Sequence, residues 1–218
     1  MPDSFLQPDF DDWAETYDEA VTGQDFPFCG YQEVLEKVAA LVMPQAHLSV
    51  LDIGTGTGNL ALLLDRLGCE LWCTDFSASM LEKARQKLPA SHFILHDLHD
   101  PLPLAADHTF DRIVSSYTFH HFMLEEKVSL LCTLFARHLS PHGLIVIGDI
   151  SFQDTSGMEK LRREAGNSWD DEFYWIADEV IPVLRKRGIG VEYVQVSPCA
   201  GVFKLRSHTP LKAIHVQE

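Results

Sequence analysis

Residues 50–60 read Val-Leu-Asp-Ile-Gly-Thr-Gly-Thr-Gly-Asn-Leu, an apolar run closed by three alternate glycines and followed by leucines at helical spacing. Gly54, Gly56 and Gly58 let the backbone turn sharply and let a ligand approach with no Cβ in the way. The free N–H groups at the start of the following helix make the turn attractive to an anionic or nucleotide-like group. Strand, glycine turn and helix in this order belong to a sheet of parallel strands that binds ligands at its carboxyl ends. The spacing is G-x-G-x-G. It departs from the dinucleotide fingerprint, which needs glycine where Asn59 stands, and from the phosphate loop, which needs G-K-[ST] after the turn. No tyrosine has a lysine four residues on, which removes the catalytic pair of a short-chain dehydrogenase.

Apolar runs and helical stretches alternate on either side of this turn. The runs cover 47–53, 71–74, 93–95, 112–115 and 144–147. Between them, Leu60, Leu63, Leu64 and Leu67 form a stripe stopped by Gly68. Ser79 and Glu82 fit a capping box that opens a helix halted at Pro89. Val128, Leu131, Leu134 and Phe135 form a third stripe, ended by Pro141 and Gly143. This alternation predicts an α/β fold: a doubly wound, mostly parallel sheet with helices on both faces. The last third breaks the rhythm. Residues 151–178 are polar and aromatic without a regular period, 179–187 read as a helix, and 191–196 with 202–205 predict an antiparallel strand pair. The first 40 residues read as helical, with Phe10, Trp13 and Tyr17 set among acids. No linker, repeat or low-complexity tract interrupts the chain, so one domain over 1–218 is expected.

Charge narrows the partners. Seventeen Lys and Arg against 32 Asp and Glu leave a net charge of −15. Phosphate backbones and anionic lipid surfaces attract Lys and Arg, so neither nucleic acid nor membrane is an expected partner. The densest basic run, Arg185-Lys186-Arg187, precedes Gly188 and reads as a helix end. No apolar stretch approaches the roughly 18–20 residues of a bilayer span, and the first ten residues lack the basic region of an export or transit signal. Five cysteines without framework spacing then point to reduced thiols and a cytoplasmic location. Cys69 and Cys73 share a strand face but no second pair completes a zinc set, and His92, His96 and His99 straddle a strand end. No metal is expected.

Asp52 ahead of G-x-G-x-G, Asp75 closing the second run and Asp97 following the third resemble the motif order of the class I S-adenosylmethionine-dependent methyltransferases. The resemblance covers roughly residues 10–150, and the closing helix and strand pair are similar too. Within the class, Asp12-Trp13-Ala14-Glu15-Thr16-Tyr17-Asp18 and Val114-Ser115-Ser116-Tyr117-Thr118-Phe119-His120-His121-Phe122 resemble a YrrT-like group of small bacterial methyltransferases. What this implies is a Rossmann-like, seven-stranded sheet and S-adenosyl-L-methionine as cofactor, with S-adenosyl-L-homocysteine as product. Gly54, Thr55, Gly56 and Gly58 would lie under the methionine part of the donor, with Asp52 orienting the loop and meeting the ammonium. Asp75 would accept the ribose hydroxyls, Phe76 and Met80 sandwich the adenine, and Asp97 with the Leu98 N–H meet the adenine edge. Ser115 would touch the amino acid end, and Tyr17, with Trp13, close over the donor. The chain then divides into an N-terminal helical lid (1–45), a cofactor-binding core (46–150), an acceptor-side insertion (151–178) and a C-terminal helix and hairpin (179–206).

Methyl transfer is an in-line displacement, so much of its acceleration comes from positioning two reactants in a dry pocket. A base is needed only when the acceptor carries a proton at neutral pH. His120, His121 and Tyr117, just beyond the fourth run, are the catalytic candidates, although a His pair there also reads as a helix cap or packed wall. The slot Ser115-Ser116-Tyr117-Thr118 lacks the [DN]-P-P-[YFW] of DNA amino-methyltransferases and the Pro-Cys of cytosine-C5 enzymes, while Pro198-Cys199 falls in the expected hairpin turn. Phe26, Phe28, Phe152, Trp169, Phe173, Tyr174 and Trp175 predict an apolar cover over a small-molecule acceptor. The same aromatic density fits a contact between copies in a homodimer. The expected function is methyl transfer to a small molecule. A non-catalytic S-adenosylmethionine-binding sensor or assembly protein, and a different transferase on the same scaffold, are the alternatives.

Overall fold

The computed structural model describes residues 7–43, 47–105 and 107–207, with Gln7 and Pro8 as backbone alone. The outer ends of the expected lid (1–6 and 44–45), residue 46 and residue 106 of the expected core, and 208–218 lie outside the described residues. Helices α1 (Gln7–Trp13), α2 (Tyr17–Ala20) and α3 (Tyr31–Val42) lead into an alternation of β1 (Ser49–Ile53), α4 (Asn59–Asp65), β2 (Glu70–Asp75), α5 (Ala78–Lys87) and β3 (His92–Leu95). There follow β4 (Phe110–Ser116), α6 (Leu124–Thr133), β5 (Leu139–Phe152), α7 (Thr155–Ala165), β6 (Trp175–Ile176), α8 (Ala177–Lys186), β7 (Ile189–Gln195) and β8 (Ala200–Ser207).

The sheet runs β3-β2-β1-β4-β5-β8-β7, the doubly wound, Rossmann-like order expected. β8 runs antiparallel to β5 and to β7, and the other neighbours on this path are parallel. An eighth, two-residue strand joins the seven expected: β6 pairs beside the end of β5, outside the main path. Burial on both faces explains why the inner strands β1, β4 and β5 read as apolar runs. Val50, Leu144, Val146 and Val202 face a layer built with α3 and α4, whereas Leu51, Ile53, Ile145, Ile147, Phe203 and Leu205 face one built with α6 and α8. Cys69 and Cys73 are buried in the first layer, where they pack as core residues.

Three local expectations are corrected. The cap of α5 is Ser77, whose Oγ accepts the Met80 N–H at 3.1 Å, and Ser79 lies inside the first turn. Asp75 decides this by taking the Ser77 N–H at 2.9 Å. The third stripe does not continue to Pro141 and Gly143: α6 passes into a π-turn at Leu134–His138, and β5 begins at Leu139. Phe110 pairs with Leu139 but Arg112 with Leu144, so the residues between them bulge out, where a proline lacking an N–H is tolerated. Inside 151–178, read as irregular, stands the 11-residue α7, capped by Asp154, which accepts the Gly157 N–H at 2.8 Å. None of its side chains is fully buried, and Met158 and Leu161 are its only large apolar residues, too few to mark it as a helix in the sequence.

Candidate active site

The glycine turn is pinned from both sides. The N–H groups of Gly54 and Thr55 donate to the Thr74 carbonyl at 2.8 and 3.0 Å, and the Thr55 hydroxyl donates to the Asp52 carbonyl at 3.0 Å. Gly54 has φ +66°, and a Cβ there would sit 2.1 Å from the Thr118 hydroxyl, so no other residue fits. Gly56, at φ +55°, differs: a Cβ would meet nothing within 4 Å, so its face is open. Its N–H donates to the Asp75 carboxylate at 2.8 Å.

Two acids stand behind this turn. Asp52 is 1 % exposed, and neither carboxylate oxygen has a hydrogen-bond partner among the described residues. Burial, reinforced by neighbouring Asp75, pushes its carboxyl up to about 7. Asp75 accepts backbone N–H groups from Ser77 and Gly56, yet burial still pushes it up to about 6. An unpartnered buried carboxylate is costly, so Asp52 is suited to a ligand that brings positive charge. Around them, the Ser115 hydroxyl is committed to the Ile53 carbonyl at 2.7 Å, tying β4 to β1. Met80 is buried, Phe76 meets Phe10 edge-on at 5.1 Å, and Leu98 packs against the core. Asp97 sits at the exposed rim, where partial burial raises its carboxyl but the hydrogen bonds and charge of His99, 2.7 Å away, together outweigh that and hold it below the ordinary range.

Asp11, Glu15 and Asp18 fasten the N-terminal segment over this end of the sheet. Asp11 Oδ1 accepts the Ser77 hydroxyl at 2.5 Å and the Ser79 N–H at 3.2 Å. Glu15 pairs with Lys83 at 2.7 Å. Asp18 accepts from the Thr57 hydroxyl and the Asn59 amide and pairs with Lys87 at 2.6 Å. The clasp brings Tyr17 and Trp13, ring centroids 4.9 Å apart, over the strand ends. Burial pushes the Tyr17 hydroxyl well above its ordinary value.

Past β4 the chain turns through Tyr117, at φ +50°, whose buried hydroxyl has no partner among the described residues. Next come His120 and His121, in a short 3-10 turn. His120 Nδ1 lies 2.6 Å from Asp149 Oδ1, and Asp149 also accepts the Trp175 indole N–H at 2.8 Å and the Ile150 N–H at 2.9 Å. Glu172 meets both imidazoles, at 3.6 Å from His120 Nε2 and 3.0 Å from His121 Nδ1. Burial disfavours charge on His120, but Asp149 and Glu172 outweigh it and raise its basicity; for His121, burial and its neighbour win and lower it. Asp149 is fully buried, which raises its carboxyl, yet His120 and Lys127 hold it below the ordinary range. Lys127, almost fully buried with its ammonium over the Trp175 ring and donating to the Phe173 carbonyl, is pushed down by burial to about 8.

A cavity of about 190 Å³ lies between this wall and the N-terminal segment, reached by Tyr17, Phe28, Tyr117, His120, His121 and Glu172. A wider surface groove of about 670 Å³ along α4 touches neither Asp52 nor His120. The structure therefore brings Tyr117, His120 and His121 together on one wall, and Asp52, Asp75 and the glycine turn at the neighbouring strand ends. Asp149, Glu172 and Lys127 went unread in the sequence. A single acid inside the apolar run of β5 was one signal for them, and a lysine on the apolar stripe of α6 another.

Residues 50–143 match the sequence model of the methyltransferase domain family. An uncharacterized methyltransferase of Geobacillus kaustophilus is 32% identical over 200 residues, covering 85% of this chain and 89% of its own length. Among solved structures, the complex of DhpI with S-adenosylhomocysteine superposes with a TM-score of 0.69 at 18% identity, over 92% of this chain and 94% of that one. The magnesium protoporphyrin IX methyltransferase of Synechocystis gives 0.73 at 17% identity, over 91% and 96%. Similarity to the Geobacillus protein runs well beyond the glycine turn, through most of both chains, and on that footing the chain belongs to the class I S-adenosylmethionine-dependent methyltransferases.

Proposed function

We propose that this methyltransferase acts on a small-molecule acceptor bound in the cavity between the N-terminal segment and the His120–His121 wall. The observation that carries this reading is the cavity itself. At about 190 Å³ it falls below the roughly 300–1,000 Å³ of pockets for drug-sized ligands, and aromatic rings roof it. The net charge of −15 argues in the same direction, against a nucleic acid.

The donor supplies an electrophilic methyl group on a sulfonium. Asp52 meets the donor's ammonium, because its two buried oxygens have no hydrogen-bond partner among the described residues, and Asp75 holds the ribose hydroxyls with its remaining lone pairs. Gly54, Thr55, Gly56 and Gly58 lie under the methionine part, where Gly56 leaves open space. Phe76 and Met80 flank the adenine, and Asp97 and Leu98 meet its edge. Ser115 acts through the Ile53 carbonyl, fixing the strand ends, and Tyr17 closes over the donor. Tyr117, His120 and His121 receive the acceptor's nucleophilic atom and aim it at the methyl group. The position of His120 is set by Asp149.

The test supplies methyl-labelled donor to a bacterial extract divided by filtration into small-molecule and macromolecular fractions. Label is expected in the small-molecule fraction, with loss of that labelling in His120→Ala while donor binding persists. Label confined to protein or nucleic acid overturns the reading.

A further inference from the structure

We propose that His120, His121 and Glu172 form a binding site for a divalent first-row transition cation in the wall of the acceptor cavity. One ligand atom from each lies within 4.8 Å of the others. His120 Nε2 and Glu172 Oε2 are 3.6 Å apart, and His121 Nδ1 and Glu172 Oε1 are 3.0 Å apart. Two ligands bound at about 2.0–2.2 Å to one cation are themselves roughly 3.0–3.5 Å apart, so these side chains need move little to close on it. Two imidazoles and one carboxylate, without a thiolate, suit Zn²⁺ and its first-row neighbours rather than Ca²⁺ or Mg²⁺, which prefer all-oxygen sets.

The surroundings are those of a built site. Asp149, fully buried, takes His120 Nδ1 at 2.6 Å and leaves Nε2 as the outward nitrogen, the carboxylate–histidine arrangement that orients metal-bound imidazoles. Asp149 is itself fixed by the Trp175 indole N–H and the Ile150 N–H. The segment carrying Glu172 is fastened to the same wall: the Phe173 N–H donates to the His120 carbonyl at 3.0 Å, and Lys127 donates to the Phe173 carbonyl. Three protein ligands leave an open coordination position. His120, His121 and Glu172 all line the cavity, so that position faces it. An acceptor's oxygen, nitrogen or sulfur would fill it, which rests on the small-molecule reading above; the cation site does not.

The experiment takes tag-free full-length protein, stripped with chelator, and titrates it with Co²⁺ as a visible probe. The expected result is one equivalent bound, with the ligand-field bands of four- or five-coordinate nitrogen and oxygen ligation and displacement by Zn²⁺. Glu172→Gln and His121→Asn should each weaken binding by at least roughly tenfold. Absence of saturable binding overturns the proposal. So does a thiolate charge-transfer band, which would place the cobalt on the cysteines, and so does unchanged affinity in both variants. The ligand signature is read on the unsubstituted protein, so it decides even where a variant fails to fold. A thermal shift with S-adenosylhomocysteine is recorded alongside. Cobalt binding without that shift would count against the donor assignment alone, and the shift without cobalt binding against the cation site alone.

Discussion

Asp52 and Asp149 are both carboxylates sealed from water on the strands of one sheet, and they are handled in opposite ways. Asp149 is surrounded by His120, the Trp175 indole and, nearby, Lys127, and it stays ionised inside the protein. Neither oxygen of Asp52 has a hydrogen-bond partner among the described residues, and burial pushes it up to about 7. One acid brings its counter-charge from the chain; the other, on the proposed assignment, would take it from a ligand. A buried carboxylate is thus no signature by itself, and its partners decide whether it holds the fold or waits for a cation.

The contrast is tested most severely by Asp149→Ala, which strands an imidazole and an indole N–H. Removing one member of a buried pair costs about 3–5 kcal/mol, which for a chain of this size is a melting temperature lower by roughly 6–20 °C. Asp52→Ala in the free protein should be neutral or stabilising, and equal losses for the two variants in denaturant melts would erase the distinction. Next in size, Asp75→Ala should weaken S-adenosylhomocysteine binding roughly ten- to a hundredfold, about 1.4–2.8 kcal/mol, by calorimetry. The pH dependence follows. Asp52 and Asp75 sit at about 7 and about 6 when folded against 3.8 ordinarily. The folded chain therefore keeps protons that the unfolded chain has released, and its free form loses stability as pH rises from about 4 to about 7. Donor binding favours the ionised acids, so the ligand-induced thermal shift should grow across that window, and Asp52→Asn should flatten both trends. Smallest is Asp18→Ala, which removes the Lys87 and Thr57 contacts. It should cost about 0.2–1 kcal/mol and raise the stopped-flow rate of donor release severalfold.

How far the sequence could be read divides along the same line. Asp52, the three glycines and Asp75 lie at consecutive strand ends, within 24 residues of one another, so local order shows them. The Asp149–His120–Glu172 set is assembled from β5, a 3-10 turn and a loop beyond α7, and no spacing links them. His120 and His121 were visible as a pair, but what orients them was not. The inner strands were legible because burial on two faces leaves continuous apolar runs. α7 was not, since only Met158 and Leu161 pack it against the core. The α5 cap was read at Ser79 because a capping-box pattern fits there as a sequence, whereas the local bond from Asp75 and the tertiary bond from Asp11 place it at Ser77.

The clasp of Asp11, Glu15 and Asp18 bears on the timing of turnover. The stretch it holds carries Phe10, whose ring touches Phe76 on the proposed donor side and His121 on the proposed acceptor side. One door therefore serves two rooms. On the proposed assignment, spent donor would leave by undoing contacts that also shape the acceptor chamber, which would couple admission to release and make the N-terminal segment the clock of the cycle.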